Sequence, residues 1–142
     1  MLPYPERVPG RVASSARQRR VVLLVDDCPD TRELYAEYLE LSGYDVKEAS
    51  DGMSAVQEAL RSAPDIVVMD MSLPGIDGGE AARRLRAEER TSAIPVVMVS
   101  GFAPEAVAPA GSHDAPWDVY LGKPCLPDDL VTAIERLLAP RS

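Results

Sequence analysis

Cysteines and long apolar runs are scarce in this 142-residue sequence. Its two cysteines cannot form a framework of disulfide bridges. The longest uninterrupted aliphatic run, Val21–Val25, is far too short to cross a membrane, and the N-terminal residues have no apolar stretch typical of a secretory signal. Hydrophobic residues still make up 46% of the chain, enough for a core. We therefore expect a soluble, cytoplasmic protein with one folded domain.

Positive charge is also scarce in most of the chain. The formal net charge is −8, yet residues 1–20 carry five arginines and one glutamate, a net charge of +4. The remaining residues, 21–142, therefore carry −12. An acidic body argues against nucleic acid as a direct partner.

The N-terminal residues contain several prolines and show no apolar periodicity, which distinguishes them from the rest of the chain. We predict a flexible basic arm over residues 1–19, a folded domain over residues 20–139 and a C-terminal tail over residues 140–142. One hypothesis is that the arm docks on an acidic partner or on the acidic body of the same protein. No second domain is expected after residue 139.

Strand and helix patterns alternate through the folded domain. Strands are predicted at 21–25, 44–49, 65–70, 94–100 and 117–124, and helices at 31–43, 51–63, 79–90 and 126–139. The apolar positions assigned to the first two helices are Leu34, Tyr35, Tyr38, Leu39 and Leu41, then Met53, Val56 and Leu60. Prolines between residues 101 and 117 leave room only for an irregular fourth helix. This order predicts an α/β fold with a doubly wound, five-stranded parallel sheet.

Polar side chains follow four of the predicted strands. Asp26 and Asp27 follow the first strand, Asp70 ends the third, Ser100 ends the fourth and Lys123 follows the fifth. Functional groups of open parallel sheets lie at the carboxyl ends of the strands. We therefore expect three carboxylates, one hydroxyl and one ammonium group at a single edge.

This set of groups suits phosphoryl transfer. Crowded, buried carboxylates repel one another, and a divalent cation with oxygen ligands such as Mg²⁺ relieves that repulsion. A lysine and a hydroxyl can surround phosphoryl oxygens, and a carboxylate can itself accept the phosphoryl group. We therefore predict that Asp70 becomes an aspartyl phosphate.

Four segments together resemble the receiver domain of two-component response regulators. They read VLLVDDCPDTRELYAEYL, PDIVVMDMSLPGIDG, IPVVMVSG and YLGKP, and the resemblance covers about residues 20–139. It implies a flavodoxin-like (βα)₅ fold, here with an irregular fourth helix. We expect a phosphorylation-dependent switch with no DNA-binding output domain of its own, which acts by binding a partner protein or by passing the phosphoryl group along a relay.

The resemblance also implies a role for each site residue. Asp70 is similar to the phosphoacceptor, and Lys123 to the lysine that pairs with the phosphate. Asp27 resembles the direct magnesium ligand, Asp26 a ligand acting through water, and the Ser72 backbone carbonyl a third protein ligand. Ser100 is similar to the hydroxyl switch residue, and Tyr120 to the aromatic residue that rotates inward.

The implied partners are proteins. The phosphoryl donor would be a histidine kinase or a phosphotransfer protein, and the downstream protein is not specified by the sequence. A homodimer through the last helices is an open alternative. The chain is expected to be no conventional enzyme, although it would assist its own phosphoryl transfer and dephosphorylation.

Some positions depart from the family pattern. Gly101 stands where the family usually has alanine, and Phe102 suggests slow self-dephosphorylation. The proline-rich segment that follows puts the usual output face in doubt. Cys28 and Cys125 both lie at the predicted active edge, where two free thiols are favoured over a redox link.

Two other functions fit the same residues less well. A haloacid-dehalogenase-like phosphatase needs an acid two residues after the first-strand aspartate, where this chain has Cys28. A nucleotide-binding Rossmann domain needs a glycine-rich first turn, which is absent. A receiver-like scaffold that binds partners without phosphorylation, and a receiver excised from a larger hybrid protein, remain alternatives.

Overall fold

The computed structural model describes residues 19–101 and 115–139. Residues 1–18 of the predicted arm, the 102–114 part of the proline-rich segment with Phe102, and the tail lie outside these ranges. The strands are β1 (Val21–Val25), β2 (Asp45–Ala49), β3 (Ile66–Asp70), β4 (Val96–Ser100) and β5 (Val119–Gly122). The helices of the described ranges are α1 (Pro29–Leu41), α2 (Gly52–Ser62), α3 (Gly78–Ala87) and α4 (Pro127–Leu138).

The five strands form one parallel sheet in the order β2-β1-β3-β4-β5. The strands β3 and β4 are buried throughout, as is β1 after its first residue, because their side chains are apolar on both faces of the sheet. The edge strands β2 and β5 are more exposed. This topology confirms the predicted doubly wound α/β fold.

Helices cover both faces of the sheet. Alternate strand residues such as Leu23, Val67 and Met98 pack against α2 and α3 on one face. Their neighbours, including Leu24 and Val97, pack against α1 and α4 on the other. None of the helices in the described ranges has the length and apolar composition needed to cross a membrane.

Helix α1 differs from its predicted form at both the start and the buried face. It begins at Pro29, because proline has a φ angle suited to the first helical position and needs no N–H partner there. Its core contacts are made by Ala36 and Leu39. Leu34 and Leu41, which belong to the apolar pattern, are 57% and 83% exposed. The pattern therefore predicts the helix correctly but does not show which of its side chains are buried.

Helix α2 also packs through smaller residues than the pattern indicated. Met53 is 42% exposed, whereas Ala55, Val56 and Ala59 are buried. Small side chains on α2 allow its close packing beside α3. The inner face of α3 includes Ala81, Ala82 and Leu85, which are buried.

Arg86 near the end of α3 joins segments at the amino-terminal edge of the sheet. Its guanidinium donates to the backbone carbonyls of Pro116, Ser92 and Ile94 and pairs with Asp118 at 2.6 Å. The Asp118 carboxylate also accepts the Val96 N–H at 2.8 Å. This one side chain therefore fixes the starts of β4 and β5 relative to α3.

Replacing Arg86 with methionine is expected to destabilise the fold by about 2–3 kcal/mol. The substitution keeps the aliphatic stem but removes several charge-assisted hydrogen bonds from partly buried carbonyls. Arg83→Met is the matched control, because Arg83 is 60% exposed and pairs with Glu80 only on the helix surface, a pair worth roughly 0.5 kcal/mol. Urea unfolding measures both changes. Equal unfolding midpoints for the two variants would show that the Arg86 contacts do not stabilise the fold as proposed.

Candidate functional site

Two aspartates, Asp26 and Asp70, lie at the carboxyl ends of neighbouring strands, and each forms the same kind of turn. The Asp26 carboxylate accepts the Cys28 N–H at 2.8 Å, and the Asp70 carboxylate accepts the Ser72 N–H at 3.1 Å. An aspartate that accepts a hydrogen bond from the residue two places ahead turns the backbone sharply. The chain therefore leaves each strand immediately, and the carboxylates remain at the edge of the sheet.

The structure brings the three predicted carboxylates together. One carboxylate oxygen from each of Asp26, Asp27 and Asp70 lies within 4.8 Å of the other two. Asp26 and Asp70 are 4% and 5% exposed, whereas Asp27 faces solvent. Oxygen donors at this spacing fit a hard divalent cation that keeps part of its water shell, such as Mg²⁺.

Lys123 approaches the same cluster from the end of β5. Its Nζ donates to Asp70 Oδ2 at 2.8 Å, and its backbone N–H donates to the Ser100 carbonyl at 2.8 Å. Burial lowers the pKa of the Lys123 ammonium, but the hydrogen bond and the charge of Asp70 outweigh burial and raise it. The ammonium is therefore charged, and the Lys123–Pro124 peptide bond beside it is cis.

Ser100 and Tyr120 lie on the adjacent strands β4 and β5. Ser100 is 1% exposed and stands opposite Gly122 in the β4–β5 register. Tyr120 is half-buried against the α2 and α3 side of the core, and its ring centroid lies 5.5 Å from that of Trp117. The switch roles of Ser100 and Tyr120 stay predictions, as does the role of the Ser72 carbonyl.

The two cysteines lie beside the cluster in different environments. Cys28 is exposed, and the Thr31 hydroxyl lowers the pKa of its thiol. Cys125 is buried, and burial raises the pKa of its thiol. Both are free thiols in the structure.

Two supporting residues were missed by the sequence reasoning. Arg32 donates to the Asp26 backbone carbonyl at 2.6 Å and pairs with Glu48 at 2.9 Å. The Tyr35 hydroxyl donates to the Cys125 carbonyl at 2.6 Å, which ties α1 to the loop that carries Lys123. Position on the first turns of α1 was the only available signal, and it does not reveal a partner 90 residues away.

Burial raises the pKa of the Asp26 carboxyl, and the charges of Asp70 and Asp27 raise it further. The Cys28 N–H and the Lys123 charge act in the opposite direction without cancelling the rise. The folded protein thus holds this proton at pH values where the unfolded chain has lost it. The resulting stability is complete below the ordinary pKa of 3.8 and is lost as pH rises through the folded-state value.

Asp26→Asn is therefore expected to unfold at a higher temperature than the parent protein at neutral pH, in buffer free of divalent cations. The difference should shrink as pH falls towards 3.8. Asp30→Asn is the control, because Asp30 is exposed in the first turn of α1, where its charge favours the helix. Thermal unfolding across pH measures the difference, and a less stable Asp26→Asn protein at neutral pH would contradict this account.

The family profile of the response regulator receiver domain matches residues 22–135. The chain is 35% identical over 117 residues to the DNA-binding dual master transcriptional regulator RpaA of Synechocystis, covering 82% of this chain and 48% of RpaA. It is 36% identical over 118 residues to protein PilH of Pseudomonas aeruginosa, covering 83% of this chain and 97% of PilH. The chain spans about half the length of several curated relatives that it matches.

Solved structures with a similar fold are also response regulators or receiver domains. The chemotaxis response regulator CheY4 of Vibrio cholerae superposes with a TM-score of 0.78 at 26% identity, covering 85% of this chain and all of CheY4. The receiver domain of the sensor histidine kinase PA1611 of Pseudomonas aeruginosa, with magnesium in its active-site cleft, gives a TM-score of 0.74 at 29% identity over 83% of this chain and 96% of that domain. With its parallel sheet and its acidic edge, this chain belongs to the response regulator receiver domain family.

Proposed function

We propose that the chain is a phosphorylation-dependent signalling switch that accepts a phosphoryl group on Asp70 from a histidine kinase or a phosphotransfer protein. This proposal rests on one observation: three carboxylates and one ammonium group lie together at one edge of the sheet. The Asp70 side chain is 6% exposed, yet it lies within reach of both a cation site and Lys123.

In the proposed step, an Asp70 carboxylate oxygen forms a bond to phosphorus as the bond from phosphorus to the donor's imidazole nitrogen breaks. The electron pair of the broken bond stays on the imidazole, which then takes up a proton. Lys123 is already 2.8 Å from Asp70 Oδ2, so it can pair with an oxygen of the incoming group without a large movement. The Ser100 hydroxyl lies at the end of the adjacent strand β4, where it can donate a hydrogen bond to an oxygen of the same group after transfer.

Asp26, Asp27 and Asp70 would hold Mg²⁺, with the Ser72 carbonyl as a further ligand. When bound, the ion neutralises charge that develops on the phosphoryl oxygens. Receiver-domain neighbours with magnesium support this assignment. The pKa of Asp26, which burial raises and the charges of Asp70 and Asp27 raise further, is consistent with it. Asp27→Asn is expected to weaken Mg²⁺ binding at least about tenfold, whereas Asp30→Asn, outside the cluster, should leave it unchanged.

Transfer to Asp70 replaces a carboxylate with a phosphorylated one and removes the partner that Lys123 now has. That change in contacts would shift an equilibrium between two conformations. The readout would be protein–protein contact with a downstream partner. Trp117 is the only tryptophan of the chain and lies against Tyr120, so its fluorescence would report a movement of that ring.

The proposal is tested by intact mass spectrometry after incubation with a small phosphodonor, with Mg²⁺ or with a chelator. The expected result is a gain of one phosphoryl group that requires Mg²⁺. No gain, together with no measurable Mg²⁺ binding by calorimetry, would overturn the proposal and favour a scaffold that binds partners without phosphorylation. Asp27→Asn is the matched variant. It keeps Asp70, but Mg²⁺ should stimulate its phosphoryl incorporation less than that of the parent protein.

A further inference from the structure

Helix α1 carries an exposed face that combines leucine and carboxylate side chains. Asp30, Leu34, Glu37 and Leu41 follow at intervals of four, three and four residues, so they form one stripe along the helix. Leu34 and Leu41 are 57% and 83% exposed, so two large apolar side chains of one stripe face solvent.

Negative charge surrounds these leucines. Glu33 and Glu40 are exposed beside the stripe, so the face carries four carboxylates with Asp30 and Glu37. Among the residues that the structure describes, no cationic side chain pairs with any of these four. Arg32, the one arginine on α1, turns away towards Asp26 and Glu48. The face therefore suits a ligand that is both basic and apolar.

Arg19, the last residue of the predicted arm, lies at the end of this face. Arg19 donates to the Glu40 carbonyl at 3.4 Å and to the Tyr44 carbonyl at 2.8 Å, and it pairs with Asp45 at 2.9 Å. The last turn of α1 itself contains no basic residue. Arg19 thus supplies the positive charge at this helix end and ties the start of the domain to it.

The composition of residues 1–18 complements the α1 face. They carry three arginines and one glutamate, and two Arg-Val pairs, Arg7-Val8 and Arg11-Val12, stand four residues apart. Four extended residues span about 13 Å, close to the separation of about 10 Å for seven residues along a helix, as between Leu34 and Leu41. The eighteen residues reach up to roughly 60 Å, whereas the thirteen-residue α1 is only about 20 Å long.

We propose that residues 1–12 dock along the exposed face of α1 in the same molecule. Starting from Arg19, Val12 meets Leu41 and Val8 meets Leu34, while Arg11 and Arg7 lie beside the flanking carboxylates. The arm then runs from the end of α1 towards its beginning, where Cys28 and the acidic cluster lie. A protein that binds this face must displace the arm. This inference is independent of phosphorylation and goes beyond the proposed function.

The test uses the full chain with a nitroxide spin label on Cys28, which is exposed at the start of α1, whereas Cys125 is buried. Amide NMR signals of residues 2–8 are expected to lose intensity severalfold relative to the diamagnetic label. High salt should restore part of that intensity, because about 1 M salt reduces the Debye length to roughly 3 Å.

The double variant Leu34→Ser/Leu41→Ser should restore the arm signals. Met53→Ser is the matched control, because it removes an exposed apolar side chain from α2 on the other face of the sheet. Arm signals unaffected by the label would overturn the proposal. It also fails if the loss persists in the double variant, or if it arises only between labelled and unlabelled molecules in a mixture, which would place the arm on a second copy.

Discussion

Asp70→Asn protein is expected to gain no phosphoryl group under conditions in which the parent protein gains one. The amide that replaces the carboxylate is almost the same size, but its oxygen is a poor nucleophile and carries no charge. The substitution also removes the acceptor of the Lys123 ion pair and one carboxylate of the acidic cluster. The expected effect is complete loss of incorporation, measured by intact mass.

A matched control separates this loss from a general effect of charge. Asp45→Asn removes the same charge from the amino-terminal end of β2, away from the cluster, where Asp45 pairs with Arg19. Asp45→Asn protein should still gain one phosphoryl group. Mg²⁺-dependent incorporation into Asp70→Asn protein would contradict the assignment, and peptide mapping would then show whether Asp26 or Asp27 is the acceptor.

Gly78→Ala is expected to destabilise the protein by about 3 kcal/mol and to disturb Asp70. A Cβ atom at Gly78 would overlap the Asp70 carbonyl oxygen and lie 2.9 Å from the Cα of Met71. Both neighbours belong to the backbone, which cannot move aside as a flexible side chain can. The Gly78 N–H also donates to the Met71 carbonyl at 2.8 Å, so the helix start is held against the end of β3.

Gly79→Ala is the matched control for this steric effect. A Cβ at Gly79 would have its nearest neighbours at 3.4 Å and 3.5 Å, ordinary contact distances to side-chain atoms of Asp77 and Met71. Alanine is also the better helix former, by up to about 1 kcal/mol. Urea unfolding should therefore show Gly79→Ala to be neutral or stabilising, and similar losses for both variants would indicate a general intolerance of the helix start.

Gly78→Ala should also slow phosphoryl incorporation, by more than its loss of stability accounts for. The residue that would move is Asp70 itself, so incorporation should slow even at temperatures where Gly78→Ala protein is fully folded. Comparing the initial rates of Gly78→Ala and Arg86→Met proteins tests this expectation. Arg86 acts at the opposite edge of the sheet, so a loss of similar stability there should leave the rate nearly unchanged.

The sequence by itself determined the fold class and the site position. Apolar runs without polar interruption require a sheet covered on both faces, and alternation with helices requires parallel strands. Parallel strands bring all their carboxyl ends to one edge, so the sequence alone predicts that Asp26, Asp70 and Lys123 lie together. The family resemblance added roles for these residues, and the Asp70→Asn protein tests the role of Asp70 as phosphoacceptor.

Only the tertiary structure decided which apolar residues are buried and which distant groups pair. Leu34 fits a helical repeat as well as Leu39 does, yet it is exposed because the neighbouring strands and α4 contact only one side of α1. The bonds from Arg86 to Asp118 and from Tyr35 to the Cys125 carbonyl span 32 and 90 residues. Local patterns reflect the geometry of a single helix or strand, whereas such partners are chosen by how elements pack against one another.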